Sequence, residues 1–308
     1  MIRYLRHKEI DRTLWDECIL QAINTRVYAC SWYLDIVSPG WDALVEGNYD
    51  AVFPLTHKRK ASIHYLFQPF FTQQLGLFSA TLISQERVSM FLDSIPAKFK
   101  FVEIQLNTLN KVDSSGFDVI PRINHELDLI RGYEQIARNY SENTRRNIKK
   151  AFKNEVIIGK KTDPDELIAL FRKTYGKREG KLKYIHYEQI RKIIQLGLTK
   201  HRGFILGAFR PQDELSAAAF FLRDTKRYYY LFAASGETAR NNGAMFILVD
   251  HFIREQAGNP LTLDFEGGND PNLGRFYKGF GAQECSYPFI RINRLPALIR
   301  FLKKDIFV

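Results

Sequence analysis

An α+β fold of two successive, mainly antiparallel mixed sheets flanked by helices is what this sequence predicts, and three observations predict it. Segments with helical spacing alternate with dense β-branched and aromatic runs along the whole chain. Three strand-like runs, 203–210, 214–224 and 226–235, follow one another directly, as antiparallel neighbours do and doubly wound parallel strands do not. The 308 residues are 45% hydrophobic with no low-complexity linker, enough for two ordinary domains. The expected division is 1–134, then 135–293, then a terminal helical piece, 294–308, packing back on the first domain.

The elements follow in order. Ile10, Leu14, Cys18 and Ala22 recur every fourth position and predict a helix over 8–22. The Phe-, Tyr- and Leu-rich runs 50–60 and 62–79 predict strands. Ser84 is an N-cap for a helix to Ile95, with Val88, Phe91, Leu92 and Ile95 on one face. Strands are expected at 100–107 and 116–129. The stretch 133–153 is amphipathic: Tyr133, Ile136, Ala137, Tyr140, Ile148 and Phe152 form a stripe opposite the basic residues. A strand at 155–161 leads to a helix at 164–178, with Asp163 as cap, and a further helix covers 187–198. After the three consecutive strands come a long helix over 239–257, a strand at 261–268 and a short helix near 272–279. A strand at 283–293 and a terminal helix at 295–304 close the chain.

Composition removes several classes. Disorder, collagen and small disulfide scaffolds do not fit this hydrophobic content. Cys18, Cys30 and Cys285 are odd in number, far apart and outside any CxxC spacing, as in reduced thiols of a cytoplasmic protein. The N-terminus lacks an apolar signal-peptide core, and no stretch approaches 18 uncharged apolar residues. Histidines such as His57, His64, His186, His201 and His251 form no HxxxH or HExxH pattern, so no metal site is expected. The net charge of +11 points to anionic partners, and its distribution is local. Eight basic residues between Arg138 and Lys161 face only Glu142 and Glu155, which accounts for more than half of it. Arg172, Lys173, Lys177, Arg178, Lys181 and Lys183 follow.

Two segments carry candidate chemistry. In YYYLFAASGETARNNGAMFILVDHF, an aromatic strand runs through small residues into a helix start. Such a start offers free amides and partial positive charge to a phosphate, so Arg240, Asn241, Asn242, Gly243 and Ala244 are candidate phosphate-binding residues. A helix start with a packing glycine is the plainer alternative. In LTLDFEGG, Thr262, Asp264 and Glu266 share one strand face, beside Gly267 and Gly268, which allow close approach. A half-buried carboxylate there suits a general base for an amine nucleophile; the alternative is a turn cap or an ion pair. Arg145, Arg146, Lys149 and Lys150, at helical spacing, suit phosphate contacts or a solvated surface.

NYSENTRRNIKKAFKN (139–154) and LDFEGGNDPNLGRFYKGFGA (263–282) together resemble segments of the GCN5-related N-acetyltransferase superfamily. The resemblance is to its two-domain branch, which holds FemAB/FemX peptidoglycan aminoacyltransferases and BioF2-like acyltransferases. It covers about 135–293, and the first half matches only in expected topology. It implies tandem acyltransferase domains with the donor in the second. The superfamily's pyrophosphate loop would fall on Arg240, Gly243 and Met245, where Met245 departs from a small residue. Its late tyrosine, a proton donor to a leaving thiolate, would fall on Tyr277.

The expected function is therefore N-acyl transfer from acyl-CoA, a cosubstrate, to an amine by direct attack, with no acyl-enzyme and no metal. Catalytic candidates are Glu266, Tyr277 and Asp264. Substrate-binding candidates are Arg145, Lys149, Gly267, Gly268 and Lys278. The expected partner is a nucleotide-linked or other anionic small molecule, or tRNA. The alternatives are a FemX-type aminoacyltransferase using aminoacyl-tRNA on a peptidoglycan precursor, and a non-catalytic binder of anionic ligands.

Overall fold

The computed structural model describes residues 1–113, 116–159, 162–174, 182–211, 214–237 and 239–296. The expected terminal helix beyond Pro296, Lys160, Lys161, Lys177, Arg178 and Lys181 lie outside them, as does the Arg240 side chain. In chain order the first elements are β1 (Ile2–Leu5), α1 (Arg12–Gln21), α2 (Ser31–Val37), β2 (Asp42–Glu46) and β3 (Ala51–Leu55). Then come β4 (His57–Lys60), β5 (Ile63–Leu66), β6 (Phe78–Ser79), α3 (Gln85–Asp93), β7 (Phe99–Gln105) and β8 (Asp118–Asp128). Next are α4 (Tyr133–Ala137), α5 (Glu142–Lys153), β9 (Ile157–Gly159), α6 (Pro164–Thr174) and α7 (Tyr184–Thr199). The last are β10 (Gly203–Arg210), β11 (Glu214–Arg223), β12 (Arg227–Ser235), α8 (Ala239–Asn242), α9 (Ala244–Gln256), β13 (Thr262–Asp264), α10 (Pro271–Lys278) and β14 (Gln283–Asn293).

The chain divides into two compact units, Met1–Arg122 with the segment from Ser286 onward, and Ile123–Cys285. In the first unit β1, β2, β3 and β6 form an antiparallel sheet in that order. Strands β4, β5, β7 and β14 also run side by side there, with β5 and β7 parallel. The core under them joins Phe53, Phe91, Phe99, Val102 and Ile290, and Phe53 stacks on Phe91 with centroids 6.2 Å apart. Ser84 caps α3 as its sequence predicts, its hydroxyl accepting from the Arg87 amide at 3.2 Å.

In the second unit the strand order is β8, β13, β12, β11, β10, β9, antiparallel except for the β12/β13 pair. Its core stacks Phe221 on Phe252, with centroids 4.0 Å apart, and continues through Tyr230, Phe265, Tyr277 and Phe280. Three expectations change in detail. The amphipathic stretch 133–153 is two helices, because Ser141 breaks the chain and caps α5 by accepting from the Thr144 amide. That break resets the helical phase, so Ala151 is buried and Phe152 is 62% exposed. The helix expected over 239–257 is interrupted at Gly243, whose φ of 75° is left-handed. The strand expected over 261–268 ends at Asp264, because the amide of Glu266 turns back onto the Asp264 side chain.

Candidate active site

The parallel pair β12/β13 organises the second unit. Its register runs from Arg227↔Thr262 through Tyr228↔Leu263 to Tyr229↔Asp264 and stops, whereas β12 continues to Ser235. Beyond Asp264 the chain leaves β12 and is held on the β8 side instead. The Phe265 amide donates to the His125 carbonyl at 3.0 Å, and the Gly267 amide donates to Asn124 Oδ1 at 3.0 Å. A parallel ladder that ends this way splits the sheet, and the split begins at Tyr230 and Phe265, whose rings lie 6.0 Å apart.

Asp264, expected on the same strand face as Glu266, is fully buried. Its Oδ1 accepts from Asn124 Nδ2 at 2.8 Å and from the Glu266 amide at 2.9 Å. Arg227 lies nearby and pairs with Glu126 at 2.8 Å. Burial opposes the Arg227 charge, but Glu126 and Asp264 outweigh it and hold the guanidinium more firmly protonated than usual. Asp264 is thus the keystone of a turn. Glu266 lies past the strand end, half-buried, with a left-handed φ of 55°. For a residue with a Cβ that conformation costs roughly 1–2 kcal/mol, so the surrounding bonds must impose it.

Tyr277 on α10 comes to the same turn. Its ring stacks on Phe265 at 4.6 Å and meets Tyr230 edge-on at 6.3 Å. A Cβ on Gly267 would lie 3.3 Å from Tyr277 Cε2 and 3.6 Å from its hydroxyl, so the tyrosine oxygen stands against the turn that carries Glu266. Gly267, which follows Glu266 in the turn, and Tyr277 are therefore brought together. Gly268 serves a different neighbour: a Cβ there would lie 2.6 Å from His125 Nδ1, so the close approach is by a side chain of the chain itself. His125 Nδ1 also lies 2.9 Å from the Gly267 carbonyl oxygen, and its ring is 5.9 Å from Tyr277. Lys278, next along α10, pairs with Glu284 at 2.7 Å and draws that carboxyl below its usual range.

The expected phosphate loop is largely self-satisfied. The Gly243 amide donates to the Ala239 carbonyl at 3.2 Å, and the Ala244 amide donates to Asn242 Oδ1 at 2.9 Å. Asn242 is buried, with its Nδ2 donating to Ser216 Oγ at 2.8 Å, whereas Asn241 is exposed. Met245 takes the Tyr230 hydroxyl on its sulfur at 2.9 Å. A Cβ on Gly243 would stand 2.3 Å from the Asn147 carbonyl oxygen, so this glycine also lets α9 lie against α5.

Arg145, Arg146, Lys149 and Lys150 are exposed on α5. Arg145 donates to the Arg138 carbonyl at 2.7 Å. The start of α5 is tied to the end of α10: the Ser141 amide donates to the Gly279 carbonyl at 2.9 Å, and Tyr140 meets Phe280 edge-on at 5.3 Å. The two motifs quoted from the sequence, more than a hundred residues apart, are one packed unit. Asn124, His125, Glu126 and Arg227 are neighbours of this turn that the motifs do not contain. The signal that could have found them is a run of three polar residues, Asn124–Glu126, inside an expected strand.

Burial pushes the Cys18 thiol up to about 11, which makes it a poor nucleophile, and Cys30 and Cys285 are half-buried. Among the described residues no three His, Cys, Asp or Glu side chains converge as a metal site would. Nor is any described helix long and apolar enough to cross a membrane.

Residues 138–278 match the family model of the acetyltransferase (GNAT) domain. The second half of the chain thus matches a GNAT domain, and its fold is of the GNAT/FemX-like type. It is similar over 98% of its length to the crystal structure of FemX, covering 100% of that chain, with a TM-score of 0.67 at 14% identity. A Bacteroides thetaiotaomicron protein of unknown function is similar over 94% of this chain and 99% of its own, with a TM-score of 0.60 at 10% identity. An Agrobacterium fabrum C-terminal domain, assigned to a putative lysylphosphatidylglycerol synthetase, is similar over 96% of this chain and 95% of its own, with a TM-score of 0.58 at 8% identity. No curated protein sequence matches the chain.

Proposed function

We propose that the chain transfers an acyl group from acyl-CoA to an amine by direct attack at the β12/β13 split. The observation that carries this is the early end of the parallel ladder at Tyr229↔Asp264, with Tyr277 against Gly267, the residue after Glu266, where it ends. Glu266 accepts the proton of the attacking amine as the nitrogen–carbon bond forms. Tyr277 gives its hydroxyl proton to the sulfur as the carbon–sulfur bond breaks. Asp264, buried and bonded to Asn124 and the Glu266 amide, positions the turn and does not itself meet the substrate. Gly267 and Gly268 keep the turn narrow, and the charge of Lys278 is already engaged by Glu284.

The donor's phosphates fit this chain only in part. The Gly243 and Ala244 amides are already engaged, which leaves Asn241 of α8 and the Arg145 and Lys149 face of α5. That same fact favours a second reading, an aminoacyl-tRNA donor. Its phosphates would need a basic helix more than an amide cradle, and an ester carbon–oxygen bond would break in place of the thioester. FemX is the solved structure of highest TM-score quoted above, which supports this reading at the level of fold.

Thermal-shift titration with CoA, acetyl-CoA and charged tRNA, followed by a transfer assay with primary amines, tests both readings. A ligand at one hundred times its Kd adds about 2.7 kcal/mol to the folded state. A shift with acyl-CoA and product formation is the result expected. A shift with charged tRNA alone favours the second donor, and binding without transfer in any combination refutes the catalytic assignment.

A further inference from the structure

We propose that Asn124 is a positioning residue that sets the Glu266 carboxylate by holding both peptide groups beside it. The inference rests on Glu266 as the base. One peptide group flanking Glu266 is held directly, where the Gly267 amide donates to Asn124 Oδ1 at 3.0 Å. The other is held at one remove: the Glu266 amide donates to Asp264 Oδ1 at 2.9 Å, and Asn124 Nδ2 donates to that same oxygen at 2.8 Å. A single buried amide side chain therefore pins the backbone on both sides of a residue whose φ is 55°.

The chemistry requires an amide. Asn124 accepts from a backbone N–H with one atom and donates to a carboxylate with another, which neither an ionised Asp nor Leu can do in that place. Neighbouring bonds from the same strand support the tie without replacing it. Asn269 Oδ1 accepts from the Ile123 amide at 3.1 Å, and the Phe265 amide donates to the His125 carbonyl at 3.0 Å. Those contacts fix where the turn starts and ends, whereas Asn124 fixes its middle.

Two single variants separate placement from charge. Asn124→Ala removes both bonds and adds no charge. Asn124→Asp keeps an acceptor for the Gly267 backbone N–H but sets a carboxylate against Asp264 Oδ1 where the donor stood, and the added negative charge disfavours ionisation of Glu266.

The test measures kcat, donor KM and melting temperature for Asn124→Ala, Asn124→Asp and Glu266→Gln, with the acidic limb of the pH–kcat profile for Asn124→Asp. For Asn124→Ala the expected fall in kcat is on the order of 10²-fold, the cost of a misplaced catalytic group, with KM changed by less than about threefold. Asn124→Asp should slow as well, and the charge it adds should move its acidic limb up. A purely structural role would lower the melting temperature and leave kcat of the folded variant where it was. A folded Asn124→Ala with wild-type kcat overturns the proposal while a dead Glu266→Gln leaves the base standing. Wild-type activity in Glu266→Gln removes the base itself. Should Asn124→Ala not fold, Asn124→Asp decides: a folded, slow enzyme with its limb moved up supports the tie, and wild-type kcat or failure to fold refutes it.

Discussion

Among the described residues, β5/β7 in the first unit and β12/β13 in the second are parallel pairs of strands, and the two pairs end differently. In the first unit the β5/β7 register runs to Leu66↔Val102, and then the chain mends the gap. Gln68 Oε1 accepts from the Gln105 amide at 2.9 Å, the Leu75 amide donates to the Gln105 carbonyl at 2.8 Å, and Leu75 pairs with Leu106. In the second unit the backbone after Asp264 is drawn away from β12 toward Asn124 and His125. Buried peptide groups must find partners, so where those partners lie decides whether a parallel pair closes or stays split. The first unit uses Gln68 and Leu75 for closure. The second finds its partners in β8, and that leaves a split sheet with Glu266 and Tyr277 at its mouth.

The largest effect should come from the second split. Tyr277→Phe removes the proton donor while keeping the stack on Phe265, so kcat should fall on the order of 10²- to 10⁴-fold with donor binding retained, as steady-state kinetics would read. Gly243→Ala places a Cβ at left-handed φ and 2.3 Å from the Asn147 oxygen. Calorimetry should show destabilisation by more than about 2 kcal/mol, because the left-handed term alone is roughly 1–2 kcal/mol.

Acid should loosen the first unit by a separate route. Burial pushes the Asp42 carboxyl up, but bonds from His57 at 3.2 Å, Tyr4 and the His7 amide outweigh it and hold the group at about 2. Its stabilisation is complete above the ordinary value of 3.8 and is lost as pH falls through that value toward about 2. Linkage puts the loss on the order of 2 kcal/mol, and hydrogen exchange on β2 across that range would register it. The smallest change is expected for Gln68→Leu, which strands the Gln105 amide. It should cost about 1–2 kcal/mol in chemical denaturation and leave the transfer rate alone. If Gln68→Leu lowers activity as much as Tyr277→Phe does, the contrast between the two splits fails.

Much of this arrangement is legible in the sequence. Periodicity and caps locate α1, α3, α6 and α9, and the FEGG and FYKGFGA segments mark the candidate site. What is hidden is tertiary. Alternation along LTLDFE cannot reveal that Glu266 leaves the strand, because the cause is an Asp264 side chain competing for its amide. Nor can a helix-start pattern show that Asn242 satisfies the very amide a phosphate would need. Asn124, about 140 residues from its partners, carries no motif at all, since its role exists only once β8 lies beside β13. Strong local signals predict elements well; a hydrogen bond between distant side chains is decided by the fold.

The central claim is that Glu266 at the split of the second unit acts as the base. Glu266→Gln keeps the size and backbone contacts of the side chain and removes its basicity. Single-turnover transfer from a bound donor should slow on the order of 10²- to 10⁴-fold, with the donor's dissociation constant unchanged. An unchanged single-turnover rate would contradict the assignment.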